Sequence, residues 1–517
     1  MQRSLNIRSG ALLRLRYLES VQRLRHATCT QNSPMPFSEI PKIPSLSFIG
    51  SAWMYLPLIG RYNIRDGSRA AWDIYQRYGP IVAQHLPGRR VIVRLFSAND
   101  IRTLYQEEGK TPHHVGSLAL KLYHQSRKPK FFANDGLLHS KGDEWRRIRS
   151  LSHNSVSAPN TVQEYADGIA GIVDDVISLI SLSRDDNREV QDCHILMKRW
   201  ASESAIFLVM GKRVGILEHT METNSLAGNM FFKIEDIFFL LNELTTTFPY
   251  HLYIPTPSWR RFVRHNDEVV SILLPFITEA AESALRDPSK QNITLVTSLL
   301  HEAKMTFKEI FTFAFDFIVA GSETVAAAAT YCLYCLAMNP LVQQKAREEV
   351  QSVLNSDASC EFKYWELPYV KACIRESLRL YPIVPGVHRK LDHDVVMSGY
   401  LIPRNTILRT EIFVSGRLEE NFTRASEFIP ERWLRANGGR AGEALKNWAL
   451  HPFASLPFST GVRMCIGRRI AEMELSILIA KVLKEFRVEN HHGDIGFLSQ
   501  MTSRPQKAPR FRFIKLE

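Results

Sequence analysis

The sequence predicts a mainly α-helical protein with a small β region, folded as a single large domain, on three observations. Helical spacing of apolar residues dominates from Gly142 to Arg286 and again from Thr306 to Asn339. Short strand-like apolar runs are confined to two places, residues 81–95 and 395–409. No internal repeat and no long Gly/Ser- or Pro-rich linker interrupts the 517 residues, whose 45% hydrophobic and 23% charged composition is that of an ordinary globular chain.

The first 33 residues carry six arginines (3, 8, 14, 16, 23 and 25) against one acid, Glu19, with leucines and Val21 interleaved. A basic, partly amphipathic, acid-poor N-terminus is the signature of a mitochondrial presequence, and its arginines break any secretory apolar core or membrane span. A solvated basic tail is the alternative. Residues 1–33 are therefore assigned as presequence and 34–517 as the working domain. Without the presequence the formal charge falls from +12 to +7, a surplus suited to an acidic protein partner or an anionic membrane. Nucleic acid is not an expected partner, because no Lys/Arg stripe is interleaved with aromatics. Seven cysteines, odd in number and without paired spacing, fit a reducing compartment.

Residues 34–44 form a proline-punctuated arm, and Trp53 to Ile59 an apolar stretch that lies on a membrane or on the protein body. Gly67 to Tyr78 reads as a helix stopped by Gly79-Pro80, residues 81–86 and 91–95 as a hairpin, and Ser97 to Glu108 as a short helix. Three prolines among aromatics between Phe248 and Trp259 break the helical pattern, as a packed loop or a membrane-facing substrate entrance. Thr306 and Glu309 make a capping box for the longest helix, which runs about 48 Å to Asn339-Pro340. Only Asp316 and Glu323 are charged between Ile310 and Met338, so a transmembrane span competes with a core helix; two carboxylates within the run favour the core. Strands return at 395–397, 400–402 and 406–409.

Chemistry concentrates in Phe458-Ser459-Thr460-Gly461-Val462-Arg463-Met464-Cys465-Ile466-Gly467. An apolar helical pattern follows at once. That places Cys465 at a helix N-terminus, where free N–H groups and the macrodipole lower a thiol pKa. Gly461 and Gly467 let the backbone bend tightly and approach a flat partner. A lone cysteine is more often a buried small hydrophobe, but here the pattern F-x-x-G-x-R-x-C-x-G is complete. It resembles the haem-ligand loop of the cytochrome P450 family, in which the cysteine thiolate binds haem iron.

Ala320-Gly321-Ser322-Glu323-Thr324 stands inside the long helix. An interior glycine costs about 1 kcal/mol relative to alanine, a cost offset if a flat ligand presses on the helix. Thr324 can open a local groove by competing for backbone carbonyls, and an acid beside an alcohol can hold a water and pass protons into a dry pocket. The segment resembles the family's oxygen-activating segment, which implies catalytic roles for Glu323 and Thr324. Glu376-x-x-Arg379 is by itself an i,i+3 surface ion pair. With Phe428-Ile429-Pro430-Glu431-Arg432 it resembles a family signature that implies a buried triad of Glu376, Arg379 and Arg432 behind the thiolate loop. Trp145 and Arg149, in W-x-x-x-R, together with Arg389 and Arg463, match the family's haem-propionate contacts, and Phe458, Gly461 and Gly467 complete the cofactor loop.

The resemblance implies one large P450 fold around a buried haem b and a monooxygenase activity. A haem-thiolate isomerase or a haem sensor needs no Glu323–Thr324 pair. The presequence points to the mitochondrial class, supplied with electrons by an acidic, adrenodoxin-like ferredoxin and its NADPH-dependent reductase. That class attaches peripherally to the matrix side of the inner membrane. Lys371 and Arg375 on one helix, and Arg468 and Arg469 after the cysteine loop, match the family's ferredoxin-docking positions, with a solvated basic face as the alternative. Mitochondrial members mostly hydroxylate sterols, steroids and secosteroids. Tyr55 to Gly60, Ser117 to Arg127, Gly136 to Arg149, Ser157 to Pro159 and Gly386 to Thr406 are similar to the arthropod ecdysteroid 22-hydroxylases of ecdysone biosynthesis, whereas residues 185–300 show little likeness. Another mitochondrial sterol, steroid or xenobiotic hydroxylase stays open.

Overall fold

The computed structural model describes residues 33–516 except 57, 129, 247–248, 287–293, 302–304, 357–362 and 435–447. The presequence, but for Ser33, lies outside the described residues. Among these, twelve helices of ten or more residues carry the fold: α1 Gly67–Tyr78, α2 Ala98–Glu107, α3 Leu118–Arg127, α4 Gly142–Ser157, α5 Ala166–Ser183, α6 Cys193–Met210, α7 Leu226–Thr246, α8 Pro257–Arg286, α9 Phe307–Met338, α10 Pro340–Ser356, α11 Pro368–Leu380 and α12 Arg468–Glu485.

Local chemistry sets the ends of the helices. Asp66 caps α1 by accepting from the Arg69 N–H, and Gly79 at φ +90° ends it ahead of Pro80. α9 opens on the Thr306–Glu309 capping box. Of the described helices, α9 alone is long and apolar enough to cross a membrane, but 72% of its most apolar window is buried inside the chain. It packs most heavily on α6, and also on α11 and α12. Phe311, Phe315, Ile318 and Leu333 are fully buried along it, each contributing about 1.5–3 kcal/mol of burial.

The β region gathers strands from far apart in the chain. β1 Ile81–Leu86 and β2 Arg90–Leu95 form the hairpin. With β3 His113–His114, β5 His388–Lys390 and β8 Ile407–Thr410 they make a sheet of order β1-β2-β8-β5-β3, in which β2 and β8 run parallel. β6 Val395–Met397 and β7 Tyr400–Ile402 form a separate hairpin. β4 Glu189–Val190, β9 Phe486–Glu489 and β12 Phe511–Lys515 form a second sheet absent from the sequence reading; β4, at two residues, is too short for any alternation to be visible. The β10 Leu498–Ser499 and β11 Ser503–Arg504 pair was equally illegible.

The proline arm lies on the body, bridging from Met35 to Tyr400 and from Lys42 to Ala83. The apolar stretch after it divides: Met54 is buried in a short 3-10 turn, while Leu58 and Ile59 are exposed. The break between α7 and α8 divides likewise, with His251 stacked on Trp259 at 5.4 Å and Tyr253 and Ile254 exposed.

Candidate active site

Gly467 is the N-cap of α12, so Cys465 stands two residues ahead of the cap. Its loop is tied by three backbone bonds: Cys465 N–H to Phe458 O (2.9 Å), Met464 N–H to Gly461 O (3.1 Å) and Ser459 N–H to Leu456 O (2.9 Å). Gly461 needs its missing side chain, with φ +73° and Glu108 Oε1 only 2.3 Å from where a Cβ would sit. Gly467 does not need glycine's backbone freedom, since its φ is −82°. There the absent Cβ leaves space, the nearest atom being Phe317 Cε2 of α9 at 4.0 Å.

The Cys465 side chain keeps accessible surface while lying deep among protein atoms, in the slot between its loop and α9. Burial pushes its thiol up from the ordinary value, and the Gly467 N–H, Arg149 and Arg468 pull it down without prevailing. The expectation that the helix N-terminus lowers this thiol is therefore corrected: desolvation wins. The thiolate needs a bound metal cation, which deprotonates a coordinating thiol outright.

α9 forms the opposite wall. Its middle is buried except for one stripe, Asp316, Phe317, Ala320, Gly321 and Thr324, of which Ala320 is the most open. Spacings of three and four put these residues on one face, and the approach of Phe317 to Gly467 turns that face to the cysteine loop. Of the apolar residues that could line a pocket here, Phe317 and Ala320 are open, whereas Phe313 and Ile318 are buried in the core. Thr324 Oγ1 donates to Ala320 O at 2.8 Å, the carbonyl competition expected of it.

Glu323 does not share that stripe. It is buried, with Lys198 Nζ of α6 at 3.0 Å, and Lys198 also binds Glu235 of α7. Burial alone would raise the Glu323 pKa, but the Lys198 ammonium more than offsets it and holds the carboxyl below the usual range. His194, with Nε2 3.9 Å from Glu323 Oε1, is pushed by burial to about 4 and stays neutral at pH 7. Behind the pair lies a cleft of about 510 Å³ lined by Lys198, Glu235, Asn242, Glu323 and Arg504. Sequence reasoning missed Lys198 and Glu235. The available signal was Lys198 beside Arg199, cations inside a largely apolar helical run.

Three predicted cofactor arginines converge beside the slot. Arg463 lies 4.2 Å above the buried Trp145 ring and donates to Ser140 O at 2.7 Å, while its Nε is buried without a partner. Its pKa falls to about 10, through burial first and then repulsion from Arg389 and Arg149, with Glu108 opposing. Arg149 is near enough to Cys465 and Arg463 for their charges to interact, and burial lowers its pKa. Arg389 is already engaged: it pairs with Glu108 Oε2 at 2.9 Å and donates to His114 Nδ1 at 2.9 Å. A sulfur ligand, an open wall of small and apolar residues and an excess of clustered cations fit a flat, metal-bearing group with an anionic edge, which is what haem is.

Glu376 and Arg379 are both fully buried and joined by two bonds, at 2.7 and 2.9 Å. Arg432 Nε reaches Glu376 Oε1 at 2.9 Å, so the three meet as a triad, and Trp433 Nε1 and the Ile429 N–H also donate to the carboxylate. The other guanidinium N–H groups of Arg379 hold the carbonyls of Gly416, Ala425 and Glu427, on the chain that leads to the cysteine loop.

Arg375 lies 4.1 Å over the Trp433 ring and within electrostatic reach of Arg468, which pairs with Glu472 at 2.9 Å. Lys371, one turn before it on α11, donates to Trp365 O at 3.1 Å. Arg469 is instead tied to the Ser157 carbonyl at the end of α4.

The cytochrome P450 family profile matches residues 50–509. Among curated relatives, "Probable cytochrome P450 301a1, mitochondrial" of Drosophila melanogaster is 30% identical over 95% of this chain and 89% of its own. "Probable cytochrome P450 12a5, mitochondrial" of the same fly is 32% identical over 92% and 91%, and "Cytochrome P450 302a1, mitochondrial" 30% identical over 88% and 90%. Mouse "1,25-dihydroxyvitamin D(3) 24-hydroxylase, mitochondrial" is 29% identical over 80% and 77%. The chain belongs to the cytochrome P450 family, as a mitochondrial-class monooxygenase whose cofactor is haem held by a cysteine thiolate.

Proposed function

We propose that this enzyme hydroxylates a steroid, at carbon 22 of an ecdysteroid precursor in ecdysone biosynthesis, with electrons from an acidic, adrenodoxin-like ferredoxin and its NADPH-dependent reductase. The observation that carries the hydroxylase reading is the open α9 stripe ending in Thr324, opposite the accessible Cys465. The steroid class draws support from the apolar Phe317–Ala320 wall and from a relative named for hydroxylating vitamin D, a secosteroid. Carbon 22 draws support from the stretches similar to ecdysteroid 22-hydroxylases.

Haem bound through Cys465 supplies dioxygen activation, helped by thiolate electron donation. This chain's residues do the rest. Arg149, Arg389 and Arg463 orient the cofactor's carboxylates, and Phe317, Ala320 and Gly321 keep the slot dry. Protons enter from the cleft through Glu235 and Lys198 to the Glu323 carboxylate. Once protonated and turned toward the slot, Glu323 gives its proton to Thr324 Oγ1 as Thr324 releases its own hydroxyl proton from Ala320 O into the slot, which leaves Glu323 as the carboxylate paired with Lys198. Thr324→Ala is expected to keep consuming NADPH while product per NADPH falls by about an order of magnitude; unchanged coupling removes Thr324 from the relay.

Phe48, Leu58, Ile59, Tyr253 and Ile254 are exposed, and we assign to them peripheral attachment to the matrix face of the inner membrane. Lys371, Arg375, Arg468 and Arg469 form the ferredoxin surface in this reading. Reversing Lys371 and Arg375 to glutamate raises the apparent KM for ferredoxin by about tenfold at low salt and by less at high salt. An unaltered KM makes this a solvated face.

The test of function is reconstitution with ferredoxin and reductase, a steroid panel, and mass spectrometry of products. A 22-hydroxylated ecdysteroid precursor is expected. Hydroxylation elsewhere keeps the class and removes carbon 22, and turnover of apolar xenobiotics but of no steroid overturns the reading.

A further inference from the structure

Glu108 is a carboxylate at the buried edge of the cofactor site, on the same edge as the arginines, and the sequence reading gave it no role. Its side chain is 3% exposed. It follows the last residue of α2, and from there reaches two different parts of the site. Oε2 pairs with Arg389 of β5 at 2.9 Å. Oε1 is buried without a hydrogen-bond partner and rests against Cα of Gly461 in the cysteine loop. The assembly is braced around it: Arg389 lies 5.8 Å over the Tyr105 ring, and Tyr105 OH is 2.9 Å from Ser459 Oγ of the same loop.

The charges on this edge can be counted. Arg149, Arg389 and Arg463 are close enough that the first two depress the Arg463 pKa, and Glu108 is the one acid that counteracts them there. The neighbouring His114 is kept neutral by burial, and the next most important influence on it is Arg389. Burial raises the Glu108 carboxyl and the Arg389 guanidinium opposes this. Three guanidinium groups, with the Lys141 ammonium interacting with Arg463, face this one carboxylate, so the edge is net positive and suited to an anionic group.

We infer that Glu108 is a positioning and charge-balancing residue for the haem, fixing Arg389 at the cofactor's edge and setting the electrostatic field, and so the reduction potential, at the iron. Arg389 thereby gains a second role: its Nε and Nη1 tie α2, β5 and β3 together through Glu108 and His114, while its Nη2 stays available to the cofactor's edge beside Arg149 and Arg463.

Reductive titration of the purified holoprotein tests this without any turnover. Glu108→Gln keeps the shape and removes one negative charge, which favours the less positive, reduced iron. At a fixed applied potential its ratio of reduced to oxidised protein is expected to rise about tenfold, equivalent to 59 mV for a one-electron couple. Arg389→Gln is expected to shift the ratio the opposite way, and the Glu108→Gln/Arg389→Gln double variant to return within about threefold of the unaltered protein. An unchanged potential in Glu108→Gln overturns the inference. So does a shift of the same sign in both single variants that the double variant fails to cancel, because a loop brace disturbed from either side behaves that way. If Glu108→Gln retains no haem, the charge-matched double variant decides: recovery of haem supports charge balance, and continued loss reduces the pair to a structural tie.

Discussion

Cys465→Ser is expected to lose the thiolate-type absorption of the reduced carbonyl complex completely, and hydroxylation with it. Serine is nearly isosteric and can keep the loop's three backbone bonds, which involve the Cys465 and Met464 amides and the Ser459 amide rather than the sulfur. The fold is therefore expected to survive, with an unfolding midpoint close to that of the unaltered apoprotein. What disappears is the one soft donor facing the α9 stripe, since an alcohol stays protonated where a thiol on a metal does not. Haem is expected to be retained in part, through Trp145, Arg149 and Arg463, so spectrum and occupancy separate. Persistence of a thiolate-type spectrum refutes the assignment, and among the described residues no other cysteine could then take the role without repacking, because Cys193, Cys332, Cys335 and Cys373 are all buried.

Two opposing effects act on this thiol, and the sequence could not rank them. A helix N-terminus stabilises a thiolate, whereas burial opposes one. The structure gives the outcome for the protein part alone: burial wins at Cys465. Metal affinity should accordingly fall with decreasing pH, as the iron must displace a proton that the site by itself retains.

The elements legible in the sequence were those governed by contacts close in the chain. The Thr306–Glu309 box and Asn339-Pro340 bracket α9, and Asp66 and Gly79 bracket α1, because a cap and its helix lie within four residues of one another. The motif at Ala320–Thr324 was legible too, though not which of the α9 side chains share a face. What stayed hidden depends on partners far apart in the chain. The parallel pairing of β2 with β8 joins residues such as Val93 and Leu408, and no local periodicity records it. The orientation of Glu323 was hidden for the same reason: beside Thr324 in sequence, it sits on another face of the helix and is fixed by Lys198, a residue on a different helix. Likewise Arg389 matched a motif by position, while its geometry is decided by Glu108, which no motif included.

Arg379→Lys is expected to be nearly as damaging as Arg379→Leu, and this is the sharper test of the triad. In an exposed i,i+3 pair the lysine would be harmless, since such pairs contribute only about 0.3–0.5 kcal/mol. At zero exposure the guanidinium makes two bonds to Glu376 and three to the carbonyls of Gly416, Ala425 and Glu427. An ammonium has three donors and no planar fork, so it leaves buried carbonyls unsatisfied even while it keeps the charge. Removing the carboxylate is worse: Glu376→Ala strands Arg379 and Arg432 together and also frees the Trp433 and Ile429 N–H donors. Deleting one partner of a buried pair costs about 3–5 kcal/mol, a large part of the 5–15 kcal/mol that typically separates a folded domain from its unfolded chain. Glu376→Ala is thus expected to accumulate little folded protein, and Arg379→Lys to unfold at a markedly lower denaturant midpoint and to lose haem faster, because the carbonyls that Arg379 holds lie on the segment leading to Cys465. A midpoint for Arg379→Lys within error of the unaltered protein would mean that the charge alone matters, and the fork geometry would then not be what fixes the thiolate loop.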